Sequence, residues 1–392
     1  VSREMLTGIM PIRAFSREKH EEQRFDEANQ NLFQTQLFTN RTMTFMLPVM
    51  MFVMNGISVL IVWVGGHNVD AGTMQVGDLT AFITYSMVIV MGFLMLTMIS
   101  IMLPRAGVAA DRIVEVLDTP ISLHDPERTK DALLEQPKGY VTFQDVSFTY
   151  PDADEPALSH ISFTAEPGKT TAIIGSTGCG KSTIVRLIPR FFDVTQGAVR
   201  IDGVDVREMS QHKLRSLMGY VPQKGVLFSG TIESNLKYGG ENISDADMQQ
   251  AADIAQATEF IDSKVDRYNS LISQGGTNVS GGQKQRLSIA RAIAKHPKIY
   301  LFDDSFSALD YKTDLTLRKE LSKQTADATV IIVAQRISTI LHADNILVLD
   351  EGKIVGSGTH EELLASCETY QEIAKSQLSE AELAGVEKGG RA

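Results

Sequence analysis

The chain has 392 residues, of which 43% are hydrophobic and 22% are charged, so it can form two folded domains and is not intrinsically disordered. Its formal net charge of −11 argues against a nucleic-acid-binding protein. The two cysteines, Cys179 and Cys367, are too few for a disulfide framework or a metal site, which predicts a reducing, cytosolic setting for both.

The N-terminal part of the sequence predicts two membrane-spanning helices, at about 42–64 and 80–103. The uncharged runs within them, 20 and 23 residues long, can each cross a hydrocarbon core of about 30 Å. Arg41, Arg105 and Arg112 flank the spans, whereas the connection between them lacks Lys and Arg. This charge bias places the connection outside and both ends in the cytoplasm. A pair of buried helices in a soluble protein is the disfavoured alternative.

Charged, helix-compatible segments extend both predicted spans. Residues 12–39 are expected to continue the first span into the cytoplasm as one long helix, and residues 104–118 to continue the second. The chain begins at Val1 with a sequence typical of a helix interior. Two spans are also few for a transport task, so we expect that upstream helices of the protein are missing from this chain.

Methionine is concentrated in the predicted membrane region, where eleven of the 16 methionines lie between residues 43 and 102. One stripe on a single helix face comprises Met87, Met91, Met95, Met98 and Met102. Two explanations remain open. The favoured one is packing against neighbouring helices, and the other is a flexible surface that accepts varied apolar molecules.

The composition changes after the second span. Residues 120–139 are polar and contain three prolines, which is typical of a linker. From residue 140 to about 375, short β-branched runs alternate with glycine turns and helices, which predicts an α/β domain. Residues 376–392 are acidic and rich in small side chains, so they are expected to be a helix end that frays into a tail.

The sequence TAIIGSTGCGKST, at residues 171–183, predicts a phosphate-binding loop. An apolar strand leads into G-x-x-x-x-G-K-S, the pattern in which loop N–H groups and a helix N-terminus surround phosphates. Lys181 is expected to reach the β- and γ-phosphates and Ser182 to ligate Mg²⁺. The predicted nucleotide contacts in this loop are Gly175, Ser176, Thr177, Gly178, Cys179, Gly180, Lys181, Ser182 and Thr183.

A second apolar strand ends in two adjacent carboxylates, Asp303 and Asp304. Such a pair is unfavourable unless positive charge lies near it. In P-loop ATPases an Asp at this position helps to hold Mg²⁺, so Asp303 is predicted to share the metal with Ser182. The next acid usually polarises the attacking water. Gln223, in GYVPQ, follows a short strand and is expected to join the metal or water shell.

A second anion-binding site is predicted at VSGGQKQR, where Ser280, Gly281 and Gly282 come just before a helix. One nucleotide cannot use both sites of a single chain unless they face each other. The simplest solution is a dimer in which each chain provides its second site to the other's ATP. Tyr150, in FTYP, is positioned to stack on a purine ring, with a surface aromatic as the alternative.

These motifs resemble those of the ATP-binding cassette (ABC) exporters. GSTGCGKS resembles their Walker A, YLFDD their Walker B, VSGGQ their signature, VPQ their Q-loop, SALD their D-loop and Tyr150 their A-loop aromatic. The resemblance implies that Gln283 of the signature and Asp310 of the D-loop also contact nucleotide. It further implies that ATP hydrolysis drives alternating access.

The resemblance also implies a fold. Residues 1–119 would be the last two helices of an exporter's α-helical transmembrane domain, fused to an α/β P-loop nucleotide-binding domain. That domain would include a helical subdomain at about 224–280.

Two positions depart from the family pattern. The residue after the Walker B aspartate is usually Glu and is here Asp304, and the switch residue is usually His and is here Gln335. An Asp carboxylate falls about 1 Å short of the water, which can lower the rate on the order of a hundredfold. Gln donates a hydrogen bond but cannot carry a proton. Asp304, Gln335 and Gln223 are therefore the catalytic candidates of a site expected to bind ATP and Mg²⁺ and to hydrolyse slowly.

The paired departures resemble the degenerate half of heterodimeric bacterial multidrug exporters. The expected partner is a second exporter half with Glu and His at these positions, with membrane lipid around the spans and no nucleic acid bound. The expected substrates are small apolar or amphipathic molecules, either multidrug or lipid-like. The expected location is a cell membrane, the bacterial plasma membrane, with the nucleotide-binding domain in the cytoplasm.

Three alternatives remain open. The first is a homodimeric exporter of peptide or lipid in which Asp304 still catalyses. The second is a soluble cassette ATPase acting on nucleic acid or ribosomes, which the uncharged spans and the acidic balance disfavour. The third is a catalytically silent, regulatory subunit with structural ATP.

We predict that alkylation of Cys179 blocks nucleotide binding and that ATP protects the thiol, because the residue lies inside the phosphate loop. The measurement is maleimide labelling of Cys179 with and without ATP, followed by nucleotide binding. Labelling that ATP does not slow would contradict the placement of the loop.

Overall fold

The computed structural model describes residues 1–151, 153–240 and 242–378, with every side chain among them except that of Ile101. The end of the predicted tail, residues 379–392, lies outside the described residues. The chain divides into two compact units, Val1–Pro120 and Ile121–Ala392.

The described part of the first unit is helical. Its helices are α1 (Ser2–Thr7), α2 (Ile9–Ala14), α3 (Glu18–Asp70) and α4 (Val76–Leu117). By length and composition, α3 and α4 can each cross a membrane, and their most apolar windows are unburied. Beside the short connection, α3 approaches α4 so closely that a Cβ on Gly65 would lie 2.2 Å from Leu79 Cδ1. A small residue at a helix contact permits this approach.

The helical extension predicted for the second span forms one helix with that span, whereas the one predicted for the first span does so only from residue 18 onward. Helix α4 continues past the second predicted span to Leu117. Helix α3 contains 53 residues, but it begins at Glu18 and not at residue 12. The helical conformation is interrupted between α2 and α3, where Ser16 adopts a φ of +51°. The expectation of one helix from residue 12 was therefore wrong at its start.

The described part of the second unit is an α/β domain. Its strands are β1 (Val141–Phe148), β2 (Leu158–Ala165), β3 (Thr170–Gly175), β4 (Gln196–Ile201), β5 (Val204–Asp205), β6 (Met218–Val221), β7 (Gly230–Thr231), β8 (Leu271–Ile272), β9 (Ile299–Asp303), β10 (Thr329–Val333), β11 (Asn345–Asp350) and β12 (Lys353–Gly358). Its helices are α5 (Lys181–Leu187), α6 (Gln211–Ser216), α7 (Ile232–Leu236), α8 (Asp245–Ile254), α9 (Thr258–Asp262), α10 (Gly281–Ala294), α11 (Tyr311–Gln324), α12 (Ile337–Ile340), α13 (His360–Ser366) and α14 (Glu368–Gln377).

Two sheets organise this domain. Strands β2-β1-β4-β5 form an antiparallel sheet, and β12-β11-β3-β10-β9-β6 form a second sheet in which every neighbouring pair is parallel except β11 with β12. The two-residue strands β7 and β8 pair within the segment predicted as the helical subdomain, together with α7, α8 and α9.

The hydrophobic core lies on both faces of the second sheet. Its central strands are buried at nearly every position, and successive side chains point to opposite faces. On β9, for example, Tyr300 and Phe302 pack with α10 and α11, whereas Ile299 and Leu301 pack with α5 and the antiparallel sheet. The uninterrupted apolar runs of the sequence thus reflect strands covered on two sides.

The segment predicted as a linker is attached to the domain by hydrogen bonds from defined side chains. Arg190 donates to the carbonyl of His124 at 3.2 Å, and Ser210 Oγ donates to Asp131 at 2.6 Å. Asp202, in the turn between β4 and β5, accepts from the backbone N–H groups of residues 138–140 at 2.9–3.1 Å. These contacts fix the path of the chain into β1.

We predict that Asp202→Ala lowers the free energy of unfolding of the second unit by about 1–2 kcal/mol, because the backbone donors lose their acceptor. Asp202 adopts a φ of +49°. Asp202→Asn tolerates this conformation but keeps only one of the two acceptor oxygens, so it should lose less stability than Asp202→Ala. Asp202→Gly separates backbone strain from loss of the acceptor. Urea unfolding of residues 121–392 measures the effect, and equal stability of the Gly and Asn variants would contradict it.

Candidate functional site

The residues predicted to carry chemistry follow strands that end at one edge of the second sheet. Strands β3, β6, β9 and β10 run parallel, so their carboxyl ends lie side by side. The phosphate loop follows β3, Gln223 follows β6, and Gln335 follows β10, while Asp303 is the last residue of β9 and Asp304 comes next. Ligand sites in open α/β sheets occur at this edge.

The phosphate loop requires glycine where it approaches other backbone. Gly175 has a φ of +156°, and a Cβ there would lie 2.0 Å from the carbonyl oxygen of Leu349. Gly180 has a φ of +99°, and a Cβ there would lie 2.7 Å from the carbonyl oxygen of Ala157. The loop conformation therefore excludes side chains at both positions.

Lys181 places a buried ammonium group at the cavity. Its Nζ donates to the carbonyl oxygens of Gly175 at 2.8 Å and Ser176 at 2.6 Å. Among the described residues, no carboxylate lies within ion-pair distance of it. Its charge is thus available to an anion, which fits a phosphate group.

Ser182 and Asp303 form the predicted metal-binding pair. Ser182 Oγ donates to Asp303 Oδ1 at 2.7 Å, and Asp303 is only 2% exposed. Hydroxyl and carboxylate oxygens are the donor types that Mg²⁺ prefers, so the pair fits that ion. The amide of Gln223, the third predicted metal residue, donates to Asp304 and not to Asp303.

Asp304 is the centre of a polar network. Its Oδ2 accepts from Gln335 Nε2 at 2.8 Å and from Gln223 Nε2 at 3.2 Å. Its backbone N–H donates to the carbonyl of Val333 at 3.0 Å, and its φ is +48°. Burial raises the pKa of Asp304, whereas the hydrogen bond from Gln223 acts in the opposite direction. The two amides therefore stabilise a carboxylate that burial disfavours.

Tyr150 lies at the same cavity, against other aromatic rings. Phe148 and Phe192 meet it edge-on, with ring centroids 4.8 and 5.2 Å away. Its hydroxyl lies 3.1 Å from Thr183 Oγ1. These contacts orient the ring that was predicted to stack on a purine.

A cavity of about 280 Å³ brings most of these residues together. It is lined by Tyr150, Ala157, Thr177, Gly178, Gly180, Lys181, Ser182, Thr183, Gln223, Asp304, Val333 and Gln335. Ala157 and Val333 were missed, because their apolar side chains carry no chemical signal in the sequence. Gly175, Ser176 and Asp303 adjoin the lining but are not part of it.

Cys179 has a buried side chain that does not line this cavity. Its Sγ lies 3.7 Å from Lys181 Nζ. The thiol is 4% exposed, so the loop must open before a reagent reaches it. The alkylation experiment therefore reports on opening of the phosphate loop as well as on its position.

The predicted second anion site lies apart from the cavity. Ser280 caps α10, accepting from the Gln283 N–H at 3.3 Å, while Gln283 Oε1 accepts from the Ser280 N–H at 3.0 Å. Asp310 caps α11 through the Thr313 N–H at 3.0 Å. None of the predicted residues Ser280, Gly281, Gly282, Gln283 and Asp310 lines the cavity. Ser280 and Gly281 are exposed.

Comparison with known proteins places both units in one family. The family model described as "ABC transporter" matches residues 158–307, and the one described as "ABC transporter transmembrane region" matches residues 1–93. Together these matches cover parts of both compact units.

Three relatives illustrate the similarity. An ABC transporter ATP-binding protein of Mycobacterium tuberculosis is 48% identical over 98% of this chain and 66% of its own length. An ATP-dependent lipid A-core flippase of Saccharophagus degradans is 37% identical over 97% of this chain and 63% of its own length. A solved structure of a bacterial Atm1-family ABC exporter with ATP bound is 32% identical, with a TM-score of 0.83, over 97% of this chain and 66% of that one.

The chain spans about two thirds of the length of each of these relatives. What it contains is a helical transmembrane region joined to an α/β nucleotide-binding domain, in the order and with the motifs described above. The chain belongs to the ABC transporter family, within which its fold matches that of an ABC exporter.

Proposed function

We propose that this chain is an ATP-binding subunit of an ABC exporter whose own nucleotide site hydrolyses ATP slowly. The observation that carries the proposal is the network at Asp304, where Gln335 and Gln223 both donate to one carboxylate oxygen. The network faces the cavity that also contains Lys181 and Ser182. Binding groups and catalytic candidates thus share one site.

Nucleotide binding follows from the groups around the cavity. Loop N–H groups and Lys181 hold the phosphates of ATP, and the ring of Tyr150 contacts its base. Ser182 and Asp303 hold Mg²⁺, which neutralises phosphate charge when it is bound. The Ser182 hydroxyl and the Asp303 carboxylate, which are joined by a hydrogen bond in this structure, would be the protein's ligands to that ion.

Slow hydrolysis follows from the catalytic candidates. Asp304 is held by two neutral amides, and its short side chain keeps the carboxylate back from the position that Glu would reach. Gln335 orients the carboxylate but accepts no proton. The site therefore retains ATP longer than one with Glu and His.

The second anion site serves a partner chain. Ser280 and Gly281 are exposed at the start of α10 and lie away from this chain's own cavity. A partner's nucleotide would meet the backbone N–H groups of this 14-residue helix. The partner is a second exporter half, different in sequence, with Glu and His at the positions of Asp304 and Gln335.

The transported molecules belong to the apolar or amphipathic class, either multidrug or lipid-like. The methionine stripe on α4 is exposed, and the lipid A-core flippases among the relatives are consistent with a lipid-like substrate. The subunit lies in the bacterial plasma membrane with the nucleotide-binding domain in the cytoplasm, as the flanking arginines indicate.

A second candidate is a homodimer in which Asp304 catalyses hydrolysis. The position of Asp304 in the cavity lining, together with Lys181 and Ser182, favours it, because a carboxylate there can act as a general base toward a water in the cavity. Both candidates use the same nucleotide-binding groups, but they differ in which site hydrolyses most of the ATP. Variants of the two anion sites therefore distinguish them.

We expect Lys181→Ala and Ser280→Arg to affect the ATP turnover of the assembled transporter unequally. If the partner's site hydrolyses most ATP, Lys181→Ala removes less than half of the turnover, whereas Ser280→Arg removes about 90% or more. Steady-state ATPase assays of the complete subunit with its partner measure this. Equal losses from the two variants would favour the homodimer.

We expect the double variant Asp304→Glu, Gln335→His to raise the turnover of the complete subunit by about tenfold to a hundredfold, because the carboxylate gains reach and the switch residue gains a titratable group. The control adds Lys181→Ala to the double variant, which should abolish the gain. Unchanged turnover in the double variant would count against a site slowed by these two residues.

A further inference from the structure

The last residue of α14, Gln377, holds the loop between β10 and α12. Gln377 Nε2 donates to the carbonyl oxygen of Gln335 at 2.8 Å, and Gln377 Oε1 accepts from the N–H of Ile337 at 2.8 Å. One amide group thus bonds to the backbone on both sides of Arg336. We call this two-point contact the Gln377 clasp.

The clasp supplies a helix cap that the loop itself lacks. Helix α12 begins at Ile337, and its N-cap residue, Arg336, accepts no hydrogen bond with its side chain. Ile337 has a fully buried side chain, so an unbonded N–H here would be unfavourable. The acceptor comes instead from a helix 40 residues further along the chain.

The residue held by the clasp is the switch residue of the nucleotide site. The backbone of Gln335 bonds to Gln377, and its side-chain amide donates to Asp304 at 2.8 Å. Arg336 also donates a hydrogen bond to the carbonyl of Ser307, in the loop that follows β9, at 3.3 Å. Gln335 is therefore held from the C-terminal helix on one side and from Asp304 on the other.

Helix α14 is itself anchored in the domain. Tyr370 is fully buried, and its hydroxyl lies 2.7 Å from His360 Nδ1 on α13. Burial lowers the pKa of His360, which favours a neutral ring that can accept this hydrogen bond. Ala374, one turn before Gln377, is also buried. The clasp thus connects the nucleotide site to a fixed element.

We propose that Gln377 is a positioning residue that keeps the amide of Gln335 on Asp304 and so determines ATP turnover at this chain's own site. This role rests on the proposed function of that site. Gln377 does not line the cavity, and its two hydrogen bonds go to backbone atoms, so it acts through the backbone of the loop. The sequence predicted a helix end that frays into a tail from about residue 376, and α14 ends at Gln377.

The first arm of the test measures the clasp itself by hydrogen–deuterium exchange. Gln377→Met keeps the side-chain length and removes both hydrogen bonds. The matched control is Gln371→Met on the same helix, whose amide donates to the Leu364 carbonyl at 2.8 Å, away from the switch loop. We expect exchange in residues 335–340 to accelerate about fivefold to tenfold in Gln377→Met alone. Unchanged exchange, or equal acceleration in the control, overturns the clasp.

The second arm is a double-mutant cycle on ATP turnover, using the complete subunit with its partner and the variant Lys181→Ala to define turnover at this chain's own site. Gln377→Met should lower kcat at that site about threefold to tenfold with KM for ATP unchanged. In a Gln335→Ala background it should have no further effect, because the group it positions is gone. An unchanged or raised kcat, or equal losses in both backgrounds, overturns the positioning role.

Binding of a fluorescent ATP analogue to the wild-type subunit separates this inference from the proposed function. If the wild-type subunit fails to bind the analogue, the proposed function fails and the positioning role fails with it. The exchange arm still decides whether the clasp exists. If the analogue binds and the cycle shows no coupling, the proposed function stands and the role of Gln377 is overturned.

Discussion

The parallel pairing of β6, β9, β10 and β3 is the constraint on which the rest of the nucleotide-binding domain depends. Parallel strands end at a common edge, so residues far apart in the chain meet there. The register pairs Phe302 with Val221 and Asp303 with Val333. Gln223 lies two residues after Val221, and Gln335 lies two residues after Val333. The side-chain amides of both donate to Asp304. A register slip of one residue would turn these side chains to the other face.

Around Asp304 the domain balances burial against hydrogen bonding. The carboxylate is 7% exposed and lies beside Asp303, so its ionised form is disfavoured. Neutral amides offset part of this penalty without supplying a proton acceptor or a positive charge. Gln377 extends the arrangement to the C-terminal helix, since it bonds to the backbone of Gln335. The proposed binding groups and the catalytic candidates are therefore supported by different elements: the phosphate loop follows β3, whereas Gln335 follows β10 and is bonded to α14.

Several features were predictable because they depend on short segments. The phosphate loop requires glycines and Lys181 at set spacings within one strand–loop–helix unit, and the two uncharged runs mark helices by length alone. Other features were missed for physical reasons. The break before α3 depends on the conformation of Ser16, and no strong breaker residue stands there. The contact of Gln377 with the loop before α12 was missed, because its two partners lie 40 and 42 residues away in sequence.

The sequence by itself determined the family, the chemical type of each proposed site residue and the two positions, Asp304 and Gln335, that depart from the exporter pattern. Those properties are carried by residue identity and local spacing. The tertiary structure alone decided that both amides bond to one oxygen of Asp304, that the Ser280 site lies apart from the cavity, and that α14 holds the switch loop. These relations depend on strand register and helix docking, which arise from burial across the whole domain and not from any short segment.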